Sequence, residues 1–136
     1  MYRCENFAIH ELVPPKVFQE WGEKAWELLD ERLLITLDRL RRRYGPMTVN
    51  NYYWGKEREW SGLRTKDSPF YSRYSQHTFG RAADCLFAER AAEEVRQDIL
   101  SHSTDPDFEM IGSVELNVSW LHFDVRNCHR IKTYQP

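Results

Sequence analysis

The sequence predicts one α+β domain over residues 1–136, in which a helical N-terminal half packs against a small antiparallel sheet. Three observations carry this. Apolar residues recur at helical spacing from Trp26 to Tyr44, the composition turns to β-branched and aromatic residues from Met47, and the segments "RAADCLF" (81–87) and "SWLHFDVR" (119–126) read as strands with a buried face. A chain of 136 residues has room for a real core, and 41% apolar with 14% aromatic residues argues against disorder.

Along the chain, the proline pair in "ELVPPKVF" blocks a preceding helix and opens the next. A long helix is expected after it. Trp26, Leu29, Leu33, Leu37, Leu40 and Tyr44 follow one another at spacings of 3, 4, 4, 3 and 4, an apolar stripe that "GP" at 45–46 ends. These aromatics read as core. Arg41 to Arg43 close the helix, where cations suit the dipole, and read as a solvated end. The region from "MTVNNYYW" is broken by Gly55, Gly62 and Ser68-Pro69 into short strands and loops. "ERAAEEVRQDILSH" returns to helical spacing through Ala92, Val95 and Ile99; "STDPDF" is a turn, "MIGSVEL" a strand, and the tail from Asn127 irregular.

The net charge of −2 and a pI near 6.2 give no electrostatic reason for a nucleic-acid or membrane partner. Cys4, Cys85 and Cys128 are an odd number without a close pair, which speaks against a disulfide framework or a Cys-rich zinc site. No N-terminal run resembles a signal peptide and none is long enough to span a bilayer, so the expectation is a monomer made and folded in a cytoplasm.

"SQHTFGRAADCLF" (75–87) places His77 and Asp84 on either side of Gly80. They are either ordinary polar residues at a loop and a strand end, or two ligands of one metal ion. Seven extended residues would span about 23 Å, whereas zinc ligands lie roughly 2.0–2.2 Å from their ion. The metal reading therefore needs a turn, and Gly80 accepts the backbone angles of one. In "SWLHFDVR", Trp120, His122, Asp124 and Arg126 alternate to one face, while Leu121, Phe123 and Val125 supply a core face opposite. A polar site on the first face is structurally allowed, and His122 could complete a set of two His and one Asp. Zinc with three protein ligands keeps a position for water, as catalytic zinc does.

These two segments together resemble the zinc D,D-peptidase family, which includes D-alanyl-D-alanine carboxypeptidases and phage L-alanyl-D-glutamate endolysins and shares its fold with the hedgehog signalling domain. The family pattern Ser-x-His-x-x-Gly-x-Ala-x-Asp, followed by Trp-x-His, is matched by Ser75, His77, Gly80, Ala82 and Asp84, then Trp120 and His122. "SGLR" (61–64) is similar to the family's Ser-Gly-x-Arg segment. The stretch "VNNYYWGKEREWSGLR" most resembles a phage and prophage branch, whose enzymes often lack signal peptides and act on the host cell wall.

The resemblance implies Zn²⁺ held by His77, Asp84 and His122, a peptidoglycan stem peptide as substrate, and Arg64 holding a substrate carboxylate through two parallel hydrogen bonds. Zinc would acidify a water and polarise the scissile carbonyl while a carboxylate moves the proton to the leaving amine. Ser75 either bonds near the ligand histidine or caps the turn. Asp124 orients a ligand or pairs with Arg126.

One position departs from the pattern. Many members carry an acid three residues before the second histidine, where this chain has Ser119; others lack it and end in His-x-Asp-x-Arg, as here. The nearest upstream acid is Glu115. A continuous strand would point it away from His122, and a turn at Leu116 and Asn117 would remove that objection. Three functions follow: a zinc peptidase cutting stem peptides as carboxypeptidase or endolysin, a catalytically inactive zinc-binding module of a phage virion or assembly component, and a zinc peptidase with another substrate.

Overall fold

A computed structural model describes residues 1–136. Helix α1 (Pro15–Trp21) begins at the proline pair, with Pro14 extended (φ −71°, ψ 163°) and Pro15 in the first turn, where its missing N–H is harmless. The expected long helix is two pieces. A 3₁₀ segment, Gly22–Leu28, carries Trp26, and α2 runs separately over Glu31–Tyr44. The break has a local cause: Asp30 is extended, and its Oδ1 accepts the Arg32 N–H at 2.9 Å, an N-cap that starts a new helix. The apolar stripe survives it, since Trp26, Leu29, Leu33, Leu37, Leu40 and Tyr44 are all buried in one core.

Arg41, Arg42 and Arg43 lie in the last turn of α2 as expected, but Arg43 is not simply a solvated end. Its guanidinium nitrogens stand 3.5 Å from Asp98, 2.9 Å from Asp105 and 3.2 Å from Asp107. That ties α2 to α3 (Ala92–Ser101) and to the 3₁₀ turn Pro106–Phe108.

Strands β1 (Met47–Thr48), β2 (Ala82–Phe87), β3 (Ser113–Glu115), β4 (Leu121–Asp124) and β5 (Lys132–Tyr134) form one sheet in the order β1-β2-β4-β3-β5. The class is α+β. The sheet is mixed rather than antiparallel, because β5 runs parallel to β3. The tail after Asn127, expected to be irregular, supplies that strand: the Lys132 N–H donates to Gly112 O at 2.9 Å and the Leu116 N–H to Tyr134 O at 2.8 Å. Three residues are too few for alternation to announce a strand.

Antiparallel pairing sets Asp84 opposite His122 and Ala82 opposite Asp124. Alternation then sorts the sheet into two faces. Ala83, Cys85, Val114, Leu121 and Phe123 fill one, fully buried against α2 and α3. The other carries Asp84, His122 and Asp124, and it is not a solvent surface, since all three are buried. The cysteines are free thiols. No helix is long and apolar enough to cross a membrane.

Four carboxylates outside the sheet are held below the usual range, Glu93 by hydrogen bonds from Gln97 and Arg96. Arg32 hydrogen bonds do this for Asp30, the Tyr44 hydroxyl for Asp98, and Arg43 for Asp105. A depressed folded-state pKa contributes stability above the unfolded value of about 3.9 and loses it as pH falls through the lower folded value. The thermal midpoint should therefore hold from neutral pH down to about 5 and drop below about 4. Arg43→Met should flatten that acid limb in a pH series of thermal melts; an unchanged limb would mean that the Arg43 cluster contributes nothing to it.

Candidate metal centre

One rung of the sheet builds most of the site. β2 places Asp84 opposite His122 on β4. The β3–β4 register, with Ser113 opposite Asp124 and Val114 opposite Phe123, brings Glu115 beside His122 when continued by one residue. The parallel β3–β5 register sets Tyr134 next to Glu115. Directly paired residues share a face, so four strands deliver Asp84, His122, Glu115 and Tyr134 to one side.

His77 arrives from the turn before β2. Thr78 N–H donates to Ser75 O at 3.0 Å and Arg81 N–H to Gln76 O at 2.9 Å, closing the turn. Gly80 makes it possible. Its φ is 67°, and a Cβ there would lie 2.3 Å from Leu28 O. The break between Leu28 and α2 gives this turn its seat, because the Asp30 N–H donates to Gly80 O at 2.9 Å.

His77, Asp84 and His122 are all buried, and one ligand atom from each lies within 4.8 Å of the others. His77 Nδ1 is 2.8 Å from Gly62 O, which makes that nitrogen the donor and leaves Nε2, 3.4 Å from Asp84 Oδ1, with its lone pair free. His122 Nδ1 is 2.8 Å from the same Oδ1, and its Nε2 is 3.4 Å from Asp124 Oδ2. Two ligands about 2.0–2.1 Å from a tetrahedral ion stand roughly 3.3–3.4 Å apart, so the His77 pair already fits and the His122 pair needs to open by about 0.5 Å. Two imidazoles and a carboxylate, each with an outer partner, form a set that could hold a metal ion.

The electrostatics agree. Burial would raise the Asp84 pKa, but hydrogen bonds and charge from His122 and His77 overcome it and hold the carboxyl well below its usual range. Burial would lower His122, yet Asp124 and Asp84 on either side raise it to about 9. Without a metal the two flanking carboxylates favour the protonated imidazole, and metal binding at Nδ1 would replace its proton.

The other residues singled out in the sequence sit around this trio. Asp124 faces His122 and is clamped by Arg126, with Nε–Oδ1 2.8 Å and Nη2–Oδ2 2.6 Å. Ser75 Oγ accepts the His77 N–H at 3.3 Å, which caps the turn, and Ser75 also lines the cleft. Arg64 lines the cleft, but its Nη2 donates to Asp84 Oδ2 at 3.0 Å and its Nε to Trp60 O at 2.7 Å. Glu115 Oε2 stands 4.0 Å from His122 Nδ1, and Ser119 is exposed. A turn does separate Glu115 from β4: Asn117 takes φ 58°.

Two contributors were invisible in the sequence reading. Tyr134 lines the cleft with its ring 5.8 Å from His122, placed by the short strand that alternation does not reveal. Arg96 on α3 is fully buried and donates to Glu115 O at 2.9 Å and Val118 O at 3.0 Å, and to Trp120 O. Those carbonyls fix the loop that aims Glu115. The arginine in "EEVRQDIL" carries the charge of a surface residue, and only its spacing of four from Ala92 and three to Ile99 hints that it lies on the buried stripe.

No family model, curated protein or solved structure matches the chain.

Replacing His77, Asp84 or His122 by Ala should strongly reduce bound metal and abolish the rise in thermal midpoint that metal gives the wild type, since binding to the native state alone stabilises it. Stoichiometric metal in His122→Ala would remove that residue from the set. Gly80→Ala should cost about 1–3 kcal/mol from backbone strain alone, and more from the overlap with Leu28, in chemical denaturation. A wild-type midpoint would show that the turn relaxes without loss.

Proposed function

We propose that this chain is a zinc-dependent peptidase that hydrolyses amide bonds in peptidoglycan stem peptides, of the hedgehog-like D,D-peptidase type that its motifs resemble. The observation that carries the reading is the buried His77, Asp84 and His122 trio opening into a cleft of 540 Å³ that Glu115 also lines. Zinc fits two imidazoles and a carboxylate with a position left over, and when bound it supplies a Lewis acid that polarises a carbonyl and acidifies water.

The chain's own residues supply the rest. Glu115, whose Oε2 is 4.0 Å from His122 Nδ1, is the carboxylate that would take a proton from the water and return it to a leaving amine. It needs no acid at position 119, because the neighbouring strand delivers one to the same rung. Trp120 lines the same cleft, and its Nε1 is buried without a protein hydrogen-bond partner. Phe70, Trp60 and Tyr134 wall the cleft with aromatic surface, and its volume lies within the range of about 300–1,000 Å³ usual for small-ligand sites.

One observation favours a second reading. Ser119 is exposed and offers no acid where many relatives of the resembled family have one, as in a zinc-binding virion module that has lost catalysis. Glu115→Gln separates the two. Under the enzyme reading the variant keeps its zinc and loses about 10²- to 10⁴-fold in hydrolysis of muropeptides followed by mass spectrometry, roughly 3–5 kcal/mol of barrier. Equal rates in wild type and variant would remove Glu115 from the chemistry. A fully zinc-loaded wild type that cleaves no muropeptide would end the cell-wall reading and leave the structural module or a peptidase with another substrate.

A further inference from the structure

We propose that Arg64 is a positioning residue for the metal site: by holding Asp84 Oδ2 it leaves Oδ1 as the single oxygen that faces the ion. This rests on the trio holding a metal, and it gives Arg64 a different task from the substrate contact that "SGLR" implies.

Asp84 divides its two oxygens cleanly. Oδ1 is the one near both histidines, 3.4 Å from His77 Nε2 and 2.8 Å from His122 Nδ1. Oδ2 accepts from Arg64 Nη2 at 3.0 Å. The guanidinium is itself fixed, because Nε donates to Trp60 O at 2.7 Å and Phe70 lies over it at 5.6 Å from the ring centroid. The Arg64 side chain is 17% exposed and that of Asp84 11%, so the contact is largely shielded from water. A carboxylate whose second oxygen is held by a charged donor cannot swing to chelate an ion, and its ligand oxygen is oriented before the ion arrives.

The pairing also fits the local backbone. Leu63 N–H donates to Leu12 O at 2.9 Å and Arg64 N–H to His77 O at 3.2 Å, so the segment that carries Arg64 is stitched to the turn that carries His77. Gly62, whose carbonyl orients the His77 ring, is two residues away and packs so closely that a Cβ would lie 2.2 Å from Leu12 O. "SGLR" thus serves two of the three ligands: Gly62 sets the tautomer of His77, and Arg64 sets the denticity of Asp84.

The test is metal affinity, which a substrate-binding arginine would leave alone. Zn²⁺ and Co²⁺ are titrated into wild type, Arg64→Met and Arg64→Lys, with far-UV circular dichroism checking the fold. Loss of an outer partner of a ligand typically weakens metal binding by about 10–100-fold, and that is the expectation for Arg64→Met, with a changed Co²⁺ visible spectrum. Arg64→Lys should recover most of the affinity, because an ammonium still donates to Oδ2. Wild-type affinity and spectrum in Arg64→Met would overturn the proposal while the trio reading stands. A wild type that binds neither ion would overturn both. Should Arg64→Met fail to fold, zinc X-ray absorption of the wild type decides: a one-oxygen carboxylate supports the proposal, and a chelating one refutes it.

Discussion

The register between β2 and β4 is the constraint on which the rest of the site depends. Asp84 and His122 are separated by 38 positions, and only their direct pairing across two strands brings an imidazole nitrogen to 2.8 Å from a carboxylate oxygen. A slip of one residue would move His122 to the core face and Phe123 to the cleft. The apolar face prevents that slip, since Ala83, Cys85, Leu121 and Phe123 fit under α2 and α3 in one register alone. The hydrophobic core thus fixes the geometry of the polar cluster on the opposite side of the same strands.

Burying that cluster is costly, and its composition shows how the cost is met. Isolated carboxylates transferred from water lose several kcal/mol each. Here Asp84 faces Arg64 and both histidines, and Asp124 faces His122 and a two-point contact from Arg126. In the metal-free protein Asp124 and Asp84 on either side of His122 favour its protonated form. A divalent ion displacing a proton there would bring one more positive charge to the same carboxylates, and the candidate ligands are oriented by Gly62 O, Arg64 and Asp124, which lie outside the trio.

Much of this was legible in the sequence because it follows from spacing. Alternation in "SWLHFDVR" put His122 and Asp124 on one face and the core on the other, and a lone glycine between His77 and Asp84 marked the turn they need. Other features were hidden for physical reasons. The helical stripe is continuous through Asp30, so periodicity could not show that its side chain caps a new helix there. β5 is too short for a pattern, and its parallel pairing depends on hydrogen bonds to residues around Gly112 and Leu116 that no local signal encodes. Arg64 was placed in the cleft by its motif, but the atom it touches depends on how the loop from Ser61 folds over β2, where the Asp84 N–H donates to Ser61 O at 2.8 Å.

Glu115 shows how a rung can replace a loop. An acid at position 119 would reach the site from the segment just before β4, and Ser119 cannot do so. A hairpin can deliver the same group from the next strand, provided the chain reverses within the few residues between Glu115 and Leu121. Asn117 accepts the left-handed φ of 58° that this needs, a conformation open to Asn more than to most residues. The reversal is then held from below. Arg96 reaches through the core side to the carbonyls of Glu115, Val118 and Trp120, satisfying backbone acceptors that a tight loop would otherwise leave unpaired. Since a buried guanidinium with its donors placed on fixed carbonyls has few alternative positions, the direction of Glu115 is set by α3 rather than by the loop's own preferences. The placement of an acid beside the His77, Asp84 and His122 trio is therefore a property of the packed domain, and it does not depend on an acid at position 119.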